Sequence, residues 1–392
     1  MPLEPPSLIL VANSARAIAQ SAARGGYRVL VLDAFADQDT RDCADCHRLP
    51  LRGAGLDPEG VRSTLDRLLT EQVAAGRDLA GVVYGAGIEA DPGFLDWVAE
   101  RLPLLGNSAE VLSLVTDPGR FFPLLDGLDI PYPESRMTPP LPDQSATWLV
   151  KEPASSGGQA IRIWDGAVQR LATLHYFQRH LPGIPMSLLF IANGRELRVV
   201  GYNRLLTSDV DADRPFLYAG ALGRALLDAR FCQTIEDYAA ALTAALGLRG
   251  LNSLDFMLHE GRPYLLELNP RPSATMSLYE DDCAEGWISR HVRACSGELP
   301  DHPHSARPGV VGQRILYAWD DLLIPEGVVW PNWSHDRPVA GSRIPRGTPL
   351  CSLSAEGPHA AWVEATLAEL SRRLRERLLV DICPAALAEE AR

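Results

Sequence analysis

The stretch Leu251–Ser273 reads LNSLDFMLHEGRPYLLELNPRPS, and the rest of the chain is best interpreted outward from it. Two apolar runs flank residues 259–262, HEGR, where Gly261 can adopt a positive φ, and this pattern predicts a β-hairpin. The second run is too apolar to have a solvated face. Because successive side chains of a strand point to opposite faces, Leu265 and Leu266 predict that both faces of this strand are covered.

Three oxygen-bearing side chains of this hairpin are predicted to converge. Glu267 and Asn269 are two residues apart and share a face, and Asp255 lies on the partner strand, opposite Glu267 or one position away. Unpaired buried carboxylates are costly, so a positive group is expected between them. Oxygen ligands without His or Cys suit Mg²⁺, which also shares phosphate oxygens. The alternative is a hairpin whose acids pair with arginines. Arg271 follows between two prolines, which restrict its backbone.

The order acid, glycine turn, apolar strand and Glu-x-Asn-Pro-Arg resembles the metal-binding end of the ATP-grasp superfamily. The resemblance implies that Asp255, Glu267 and Asn269 bind Mg²⁺, with Mn²⁺ as an alternative ion. It also implies that Arg271 faces the carboxylate that reacts with ATP. The similarity covers residues 1 to about 300 well and the remainder loosely.

A second motif begins at Lys151, which is the only lysine of the chain and ends a predicted strand. The residues Ser155, Ser156, Gly157 and Gly158 follow, and a Ser/Gly loop between strands can close over phosphates with its N–H groups. It is not a Walker loop, because the lysine precedes the glycines. From the residues alone, a plain flexible turn is the alternative. The segment resembles the ATP-grasp lid, which implies that the loop holds phosphates and that Lys151 lies at the α-phosphate end.

Residues 177–181, FQRHL, resemble the hinge between the two halves of an ATP-grasp domain. The resemblance implies that backbone groups of Gln178, Arg179, His180 and Leu181 bind the adenine edge. A surface role for His180 is left equally open. The glutamate that commonly contacts the ribose near Arg179 is missing.

A second departure from the family pattern lies at residues 117–120, DPGR. The family usually has Asp-Lys at the start of this helix, and the lysine reaches a phosphate. Arg120 is a candidate substitute for that lysine, and the shifted spacing leaves the contact open.

The chain is predicted to have three parts and an α/β class of fold. Strand and helix signals alternate through residues 1–106, which is typical of a doubly wound domain. The first strand–helix turn, around Asn13, has no glycine, so no dinucleotide site is expected there. The resemblance implies a two-part ATP-grasp domain at 107–299, with a lid at roughly 120–180. Residues 300–392 are predicted to form a small β-rich module with a helix.

Composition restricts the partners. The 392 residues carry a formal net charge of −13, which argues against general nucleic-acid binding. No apolar run approaches membrane-spanning length, and no basic leader precedes the first strand, so a cytoplasmic protein without membrane partners is expected. Homo-oligomer formation is left open.

The resemblance implies a carboxylate–amine ligase that uses ATP and Mg²⁺. ATP would convert a small carboxylate into an acyl phosphate, and an amine would displace phosphate to form an amide C–N bond. The domain pattern is also similar to ATP-grasp proteins of one-carbon carrier cofactor biosynthesis. Two alternatives stay open: a carboxyphosphate-forming enzyme that uses bicarbonate, and a nucleotide-binding regulatory protein without turnover. The sequence identifies neither the acid nor the amine.

Overall fold

The structure, a computed structural model, describes residues 4–53, 55–140, 146–166, 174–208, 210, 213–301 and 307–382. Parts of the predicted lid, at 141–145 and 167–173, lie outside the described residues, as does the end of the predicted C-terminal module. The boundaries predicted for the three domains remain predictions. None of the described helices combines the length and the apolar character needed to cross a bilayer.

The N-terminal unit is a parallel sheet with helices on both faces. Four strands pair in the order β3-β2-β1-β6, all in parallel. β1 is buried on both faces because Leu8 and Leu10 pack with α1, whereas Ile9 and Val11 pack with α3 and α4. The predicted doubly wound arrangement is therefore present. The elements are β1 Ser7–Ala12, α1 Arg16–Arg24, β2 Arg28–Asp33, α2 Gln38–Arg41, β3 Asp45–Arg48, β4 Leu51–Arg52, β5 Gly55–Leu56, α3 Pro58–Ala74, β6 Leu79–Tyr84 and α4 Gly93–Ala99.

Two short helices connect this unit to a small antiparallel sheet, which we call the lid sheet. The helices are α5 Ala109–Thr116 and α6 Pro118–Gly127. Both begin at side-chain caps, because Ser108 accepts from the N–H of the third residue after it and Asp117 accepts from the N–H of Gly119. The lid sheet has the order β7-β10-β8-β9. Its strands are β7 Ser135–Arg136, β8 Trp148–Lys151, β9 Ile161–Ile163 and β10 Tyr176–Arg179.

The remaining elements build an eight-stranded sheet, which we call the central sheet, in the order β15-β14-β11-β12-β13-β16-β20-β18. Its C-terminal strands join it through antiparallel pairing of β16 with β13, so the C-terminal module continues the sheet. The elements are β11 Ile184–Asn193, β12 Leu197–Thr207, β13 Tyr218–Gly223, α7 Ala229–Leu246, β14 Arg249–His259, β15 Arg262–Asn269, a 3₁₀ helix Ala274–Asp282, α8 Trp287–Cys295, β16 Val310–Tyr317, β17 Leu322–Leu323, β18 Ser334–His335, β19 Arg343–Ile344, β20 Pro349–Gly357 and α9 Ala360–Ile382.

The two faces of the central sheet belong to different cores. On one face, Leu188 and Phe256 pack against α6 and α7. On the other face, Leu189 and Leu251 pack against α8 and against α1 of the N-terminal unit. The N-terminal unit and the central sheet therefore share one hydrophobic core. This shared core brings the loop after β6 to the end of β15.

Candidate active site

The hairpin predicted around Gly261 is formed by β14 and β15. Glu260 and Gly261 both have positive φ, of 47° and 72°, as a two-residue hairpin turn requires. Asp255 is directly opposite Glu267, which settles the two registers that the sequence left open. The two carboxylates therefore face the same side of the central sheet.

A β-bulge at Leu266 changes how β15 is covered. The pairing of Asp255 with Glu267 is followed by that of Phe256 with Leu265, so Leu266 is the extra residue. Leu265 is 1% exposed in the core, whereas Glu267 is exposed and Leu266 is half-buried. The prediction that both faces of this strand are covered is therefore wrong. Past the bulge, one face lines an open cleft.

Asn269 links the two carboxylates. Its Nδ2 donates to Glu267 Oε1 at 3.1 Å and to Asp255 Oδ2 at 3.5 Å. Burial raises the pKa of Asp255 well above its ordinary value, and the neighbouring Glu267 carboxylate, within hydrogen-bonding reach, raises it further. Two carboxyl groups this close require a shared proton or a cation between them.

The donor set fits a divalent cation that also binds phosphate. Within the described residues, no group of three or more His, Cys, Asp and Glu side chains could hold a metal ion alone. Asp255, Glu267 and Asn269 instead offer oxygen ligands from two carboxylates and one amide, which suits Mg²⁺ held partly by phosphate and water. Rotation of the Asn269 amide by half a turn would direct its Oδ1, which now accepts from Arg271, towards such an ion.

Arg271 is buried and already faces a carboxylate. Its side chain is 8% exposed, and its Nε donates to Glu89 Oε1 at 2.6 Å. Burial alone would raise the pKa of Glu89, but Arg271 and nearby N–H groups outweigh it, so the pKa is lowered. Our sequence interpretation missed Glu89, which belongs to the N-terminal unit. The available signal was the segment GAGIE at 85–89, directly after a buried parallel strand.

Lys151 lies at the end of β8 and is 8% exposed. Its Nζ donates to Gln178 Oε1 at 2.6 Å, and Gln178 Nε2 donates to Ser135 Oγ at 3.0 Å. Burial lowers the pKa of Lys151 to about 8, and Glu267 opposes part of that shift. The side chain of Gln178 thus orients the lysine, a contact that the sequence did not indicate.

The lowered pKa of Lys151 predicts how nucleotide binding depends on pH. The free protein loses this proton as the pH rises through about 8, whereas bound phosphate favours the charged form. We therefore expect MgATP affinity to fall above about pH 8, by up to about tenfold per pH unit. Calorimetric titrations between about pH 7 and 9.5 measure this, with Lys151→Arg as the control because a guanidinium stays charged. A pH-independent affinity of the parent protein would contradict the expectation.

The Ser/Gly loop after Lys151 lies against the segment that precedes β13. Gly157 and Gly158 have φ of 64° and 70°, a conformation that favours glycine. The backbone N–H of Tyr218 donates to the carbonyl oxygen of Gly157 at 2.9 Å. Ser155 and Gly158 line the cleft, whereas Ser156 and Gly157 are not among its lining residues. The loop thus covers the cleft from the lid side.

The four predicted hinge residues lie beside the cleft but do not line it. The N–H of Arg179 donates to the carbonyl of Glu134, and the N–H of His180 donates to that of Thr147, both at 2.8 Å. Both N–H groups thus already have backbone acceptors and are not available to bind the edge of an adenine. The pKa of His180 is lowered mainly by burial and further by the nearby charge of Lys151. The centroid of its ring lies 5.7 Å from that of the Phe216 ring. Leu181 is half-buried.

Arg120 lies on α6 and is exposed. Pro118 lines the cleft, whereas Arg120 is not among the lining residues. The structure therefore does not bring Arg120 to the other candidate residues. Of the residues that line the described cleft, Lys151 and Arg271 carry the positive charge.

The cleft has a cavity volume of about 90 Å³. It lies between α5 and α6, the loop after Lys151, the end of β15 and Glu89 of the N-terminal unit. Its apolar wall includes Phe121, Phe122 and Leu266. The cleft thus combines two buried cations, the Glu267 carboxylate and an apolar wall. Asp255 is directly opposite Glu267 on β14 but does not line the cleft.

The chain is similar to known proteins in sequence and in fold. Residues 120–275 match the family model for the ATP-grasp domain. The carbamoyl phosphate synthase large chain of Thermomicrobium roseum is 26% identical over 278 residues, which are 66% of this chain and 25% of that relative. The chain therefore spans about a quarter of the length of such relatives.

Solved structures of other proteins share the fold. The L-amino acid ligase of Bacillus licheniformis superposes with a TM-score of 0.67 at 15% identity, over 94% of this chain and 98% of that chain. The biotin carboxylase domain of Hydrogenobacter thermophilus 2-oxoglutarate carboxylase was solved with MgADP, ADP and bicarbonate. It superposes with a TM-score of 0.66 at 14% identity, over 90% of this chain and 86% of that chain. The chain therefore has the ATP-grasp fold, and residues 120–275 are the part that matches the family model for the ATP-grasp domain.

Proposed function

We propose that this protein is an ATP-dependent ligase that converts a carboxylate into an acyl phosphate and couples it to an amine. The observation that carries the proposal is the placement of Arg271 beside Glu267 and Asn269 in the lining of one cleft. Asp255 is opposite Glu267 and accepts from Asn269, although it does not itself line the cleft. A fixed cation next to a site for metal-bound phosphate is where a carboxylate would meet the γ-phosphate of ATP.

Each residue has a stated role in this proposal. Asp255, Glu267 and Asn269 would hold Mg²⁺, which would offset the negative charge of the phosphates, and Mn²⁺ suits the same ligands. Lys151 binds phosphate from the lid side. Arg271 receives the carboxylate and neutralises it. The loop after Lys151 excludes water, from which a reactive acyl phosphate must be shielded.

A bicarbonate-using, carboxyphosphate-forming enzyme is the second candidate. Two observations favour it: the similarity to carbamoyl phosphate synthase large chains, and the fold shared with a biotin carboxylase domain that was solved with bicarbonate. Arg271 would serve bicarbonate as well as a carboxylate, since both present an anionic oxygen pair. A regulatory protein that binds MgATP without turnover would use the same phosphate contacts.

A screen for ADP release, followed by isotope transfer, distinguishes these candidates. The screen pairs small carboxylates with amines, and precursors of one-carbon carrier cofactors come first because the domain pattern resembles ligases of that biosynthesis. The active carboxylate is then labelled with ¹⁸O. Formation of an acyl phosphate places one labelled oxygen in the released phosphate.

The outcomes are separable. Unlabelled phosphate with continued product formation would rule out carboxylate activation. Label that comes only from ¹⁸O-bicarbonate would support the carboxyphosphate candidate. MgATP binding without ADP release under any pairing would indicate a regulatory protein.

A further inference from the structure

A buried ion pair joins the N-terminal unit to the candidate active site. Glu89 follows β6 and binds the Nε of Arg271, and the side chains of Glu89 and Arg271 are 10% and 8% exposed. The elements that carry these two residues are 182 positions apart in the chain. Glu89 also lines the cleft. The contact is therefore both a link between units and a part of the site.

Two glycines fix the loop that presents Glu89. A Cβ on Gly85 would crowd Ala12 at the end of β1, and a Cβ on Gly87 would overlap the side chain of Asn13. Gly87 has a φ of 105°, and its N–H donates to Glu89 Oε2 at 2.6 Å. Both oxygens of Glu89 are thus engaged, one by its own loop and one by Arg271. The carboxylate is held in place before any ligand binds.

The three contacts of Arg271 do not use all of its N–H groups. Its five N–H groups include one on Nε, which Glu89 takes. Nη2 donates to Asn269 Oδ1 at 3.1 Å, and Nη1 donates to the carbonyl of Pro272 at 3.4 Å. Among the described residues, one N–H of each Nη atom therefore has no acceptor. A carboxylate can accept from both in a bidentate pair.

We propose that Glu89 is a positioning residue that holds the Nε edge of Arg271, so that the two Nη atoms face the carboxylate substrate. The inference rests on the proposed function, because it takes Arg271 as the group that receives that carboxylate. It gives the N-terminal unit a direct part in substrate alignment. A purely structural ion pair between the units is the competing explanation.

The reverse reaction tests this with known probes. Acetyl phosphate or carbamoyl phosphate and MgADP would form MgATP: the bond from the acyl oxygen to phosphorus breaks, a bond from an ADP β-phosphate oxygen to phosphorus forms, and the carboxylate or carbamate leaves. Luciferase measures the ATP. Glu89→Gln removes the charge and one acceptor oxygen. We expect the half-saturating acyl phosphate concentration to rise about tenfold, and that of MgADP to stay within about twofold.

A matched control and a double variant separate positioning from stability. Asp39→Asn removes another carboxylate of the N-terminal unit, whose partner Arg337 lies in the C-terminal module, away from the cleft. It should leave both half-saturating concentrations unchanged at a comparable loss of thermal stability. In an Arg271→Lys background, Glu89→Gln should have little further effect, because Glu89 acts through Arg271.

Equal effects of Glu89→Gln on both ligands, or additive effects in the double variant, would overturn the inference and leave the proposed function intact. If the parent protein makes no ATP from either acyl phosphate, carboxylate activation loses its support instead. A crystal structure of Glu89→Gln then decides the inference. A guanidinium turned away from Asn269 supports it, and one that has not moved overturns it.

Discussion

Replacement of Glu267 with Gln is expected to reduce ATP-dependent turnover by at least about a hundredfold and to weaken MgATP binding. The amide keeps the shape of the side chain but removes one of the two negative charges opposite each other on β14 and β15. It also removes the repulsion that raises the pKa of Asp255. Without ligands, the variant should therefore be at least as stable to heat as the parent protein.

The matched control for this variant is Glu260→Gln in the turn of the same hairpin, where the Glu260 side chain is 84% exposed. ADP release, calorimetric MgATP binding and the midpoint of thermal unfolding are measured for both. Undiminished ADP release by Glu267→Gln would show that this carboxylate does not hold the metal. Lower thermal stability without ligands would show that the acid pair is a structural contact.

The second large effect is expected from Lys151→Arg. The ammonium is buried and 2.6 Å from Gln178 Oε1, in a space that fits a compact charge. A guanidinium is wider and spreads its charge, so the half-saturating ATP concentration should rise about tenfold or more. The maximal rate at saturating ATP should change less.

Arg162→Lys is the control for this substitution, because Arg162 is exposed on β9 of the same lid sheet and does not line the cleft. Steady-state ATP titrations compare the two variants. If Lys151→Arg titrates with ATP as the parent protein does, Lys151 is a structural residue of β8.

Local signals predicted the parts of the site that lie close together in sequence. The glycine at 261 and the apolar runs around it predicted the hairpin, and the two-residue spacing of Glu267 and Asn269 placed both on one face. The sequence allowed Asp255 to lie opposite Glu267 or one position away. The glycine indicates a turn but not the number of residues in it, and that number sets the pairing of the two strands. The structure selects the register in which the carboxylates are opposite.

The bulge at Leu266 was not predictable from periodicity. An extra residue in one strand reverses the faces of all positions beyond it, and the apolar pattern of β15 carries no signal for that extra residue. Leu265 is buried, as expected for a strand that is covered on both faces. Beyond the bulge, Glu267 is exposed, which that expectation did not allow for. The error came from extending strict alternation through a site where alternation is interrupted.

Contacts between distant segments were also missed. Glu89 reaches Arg271 only because the N-terminal sheet packs on the central sheet, and Gln178 reaches Lys151 only because β8 and β10 pair. Neither contact has a sequence spacing that could reveal it. Arg120 is a candidate that local spacing suggested and the structure does not bring to the cleft. The family's lysine directly follows the aspartate, at the position of Pro118, and a side chain two residues further along the helix points to another part of its surface.

Because the N-terminal unit and the central sheet share one core, we expect that neither folds well without the other. A truncation near residue 107 would remove α1 and expose Leu189, Leu251 and Trp287, which are all fully buried. It would also take Glu89 from Arg271. The fragment would present an apolar surface to solvent, a common cause of aggregation. Truncated or chimeric versions of the protein should therefore keep the N-terminal unit together with the central sheet in one uninterrupted segment.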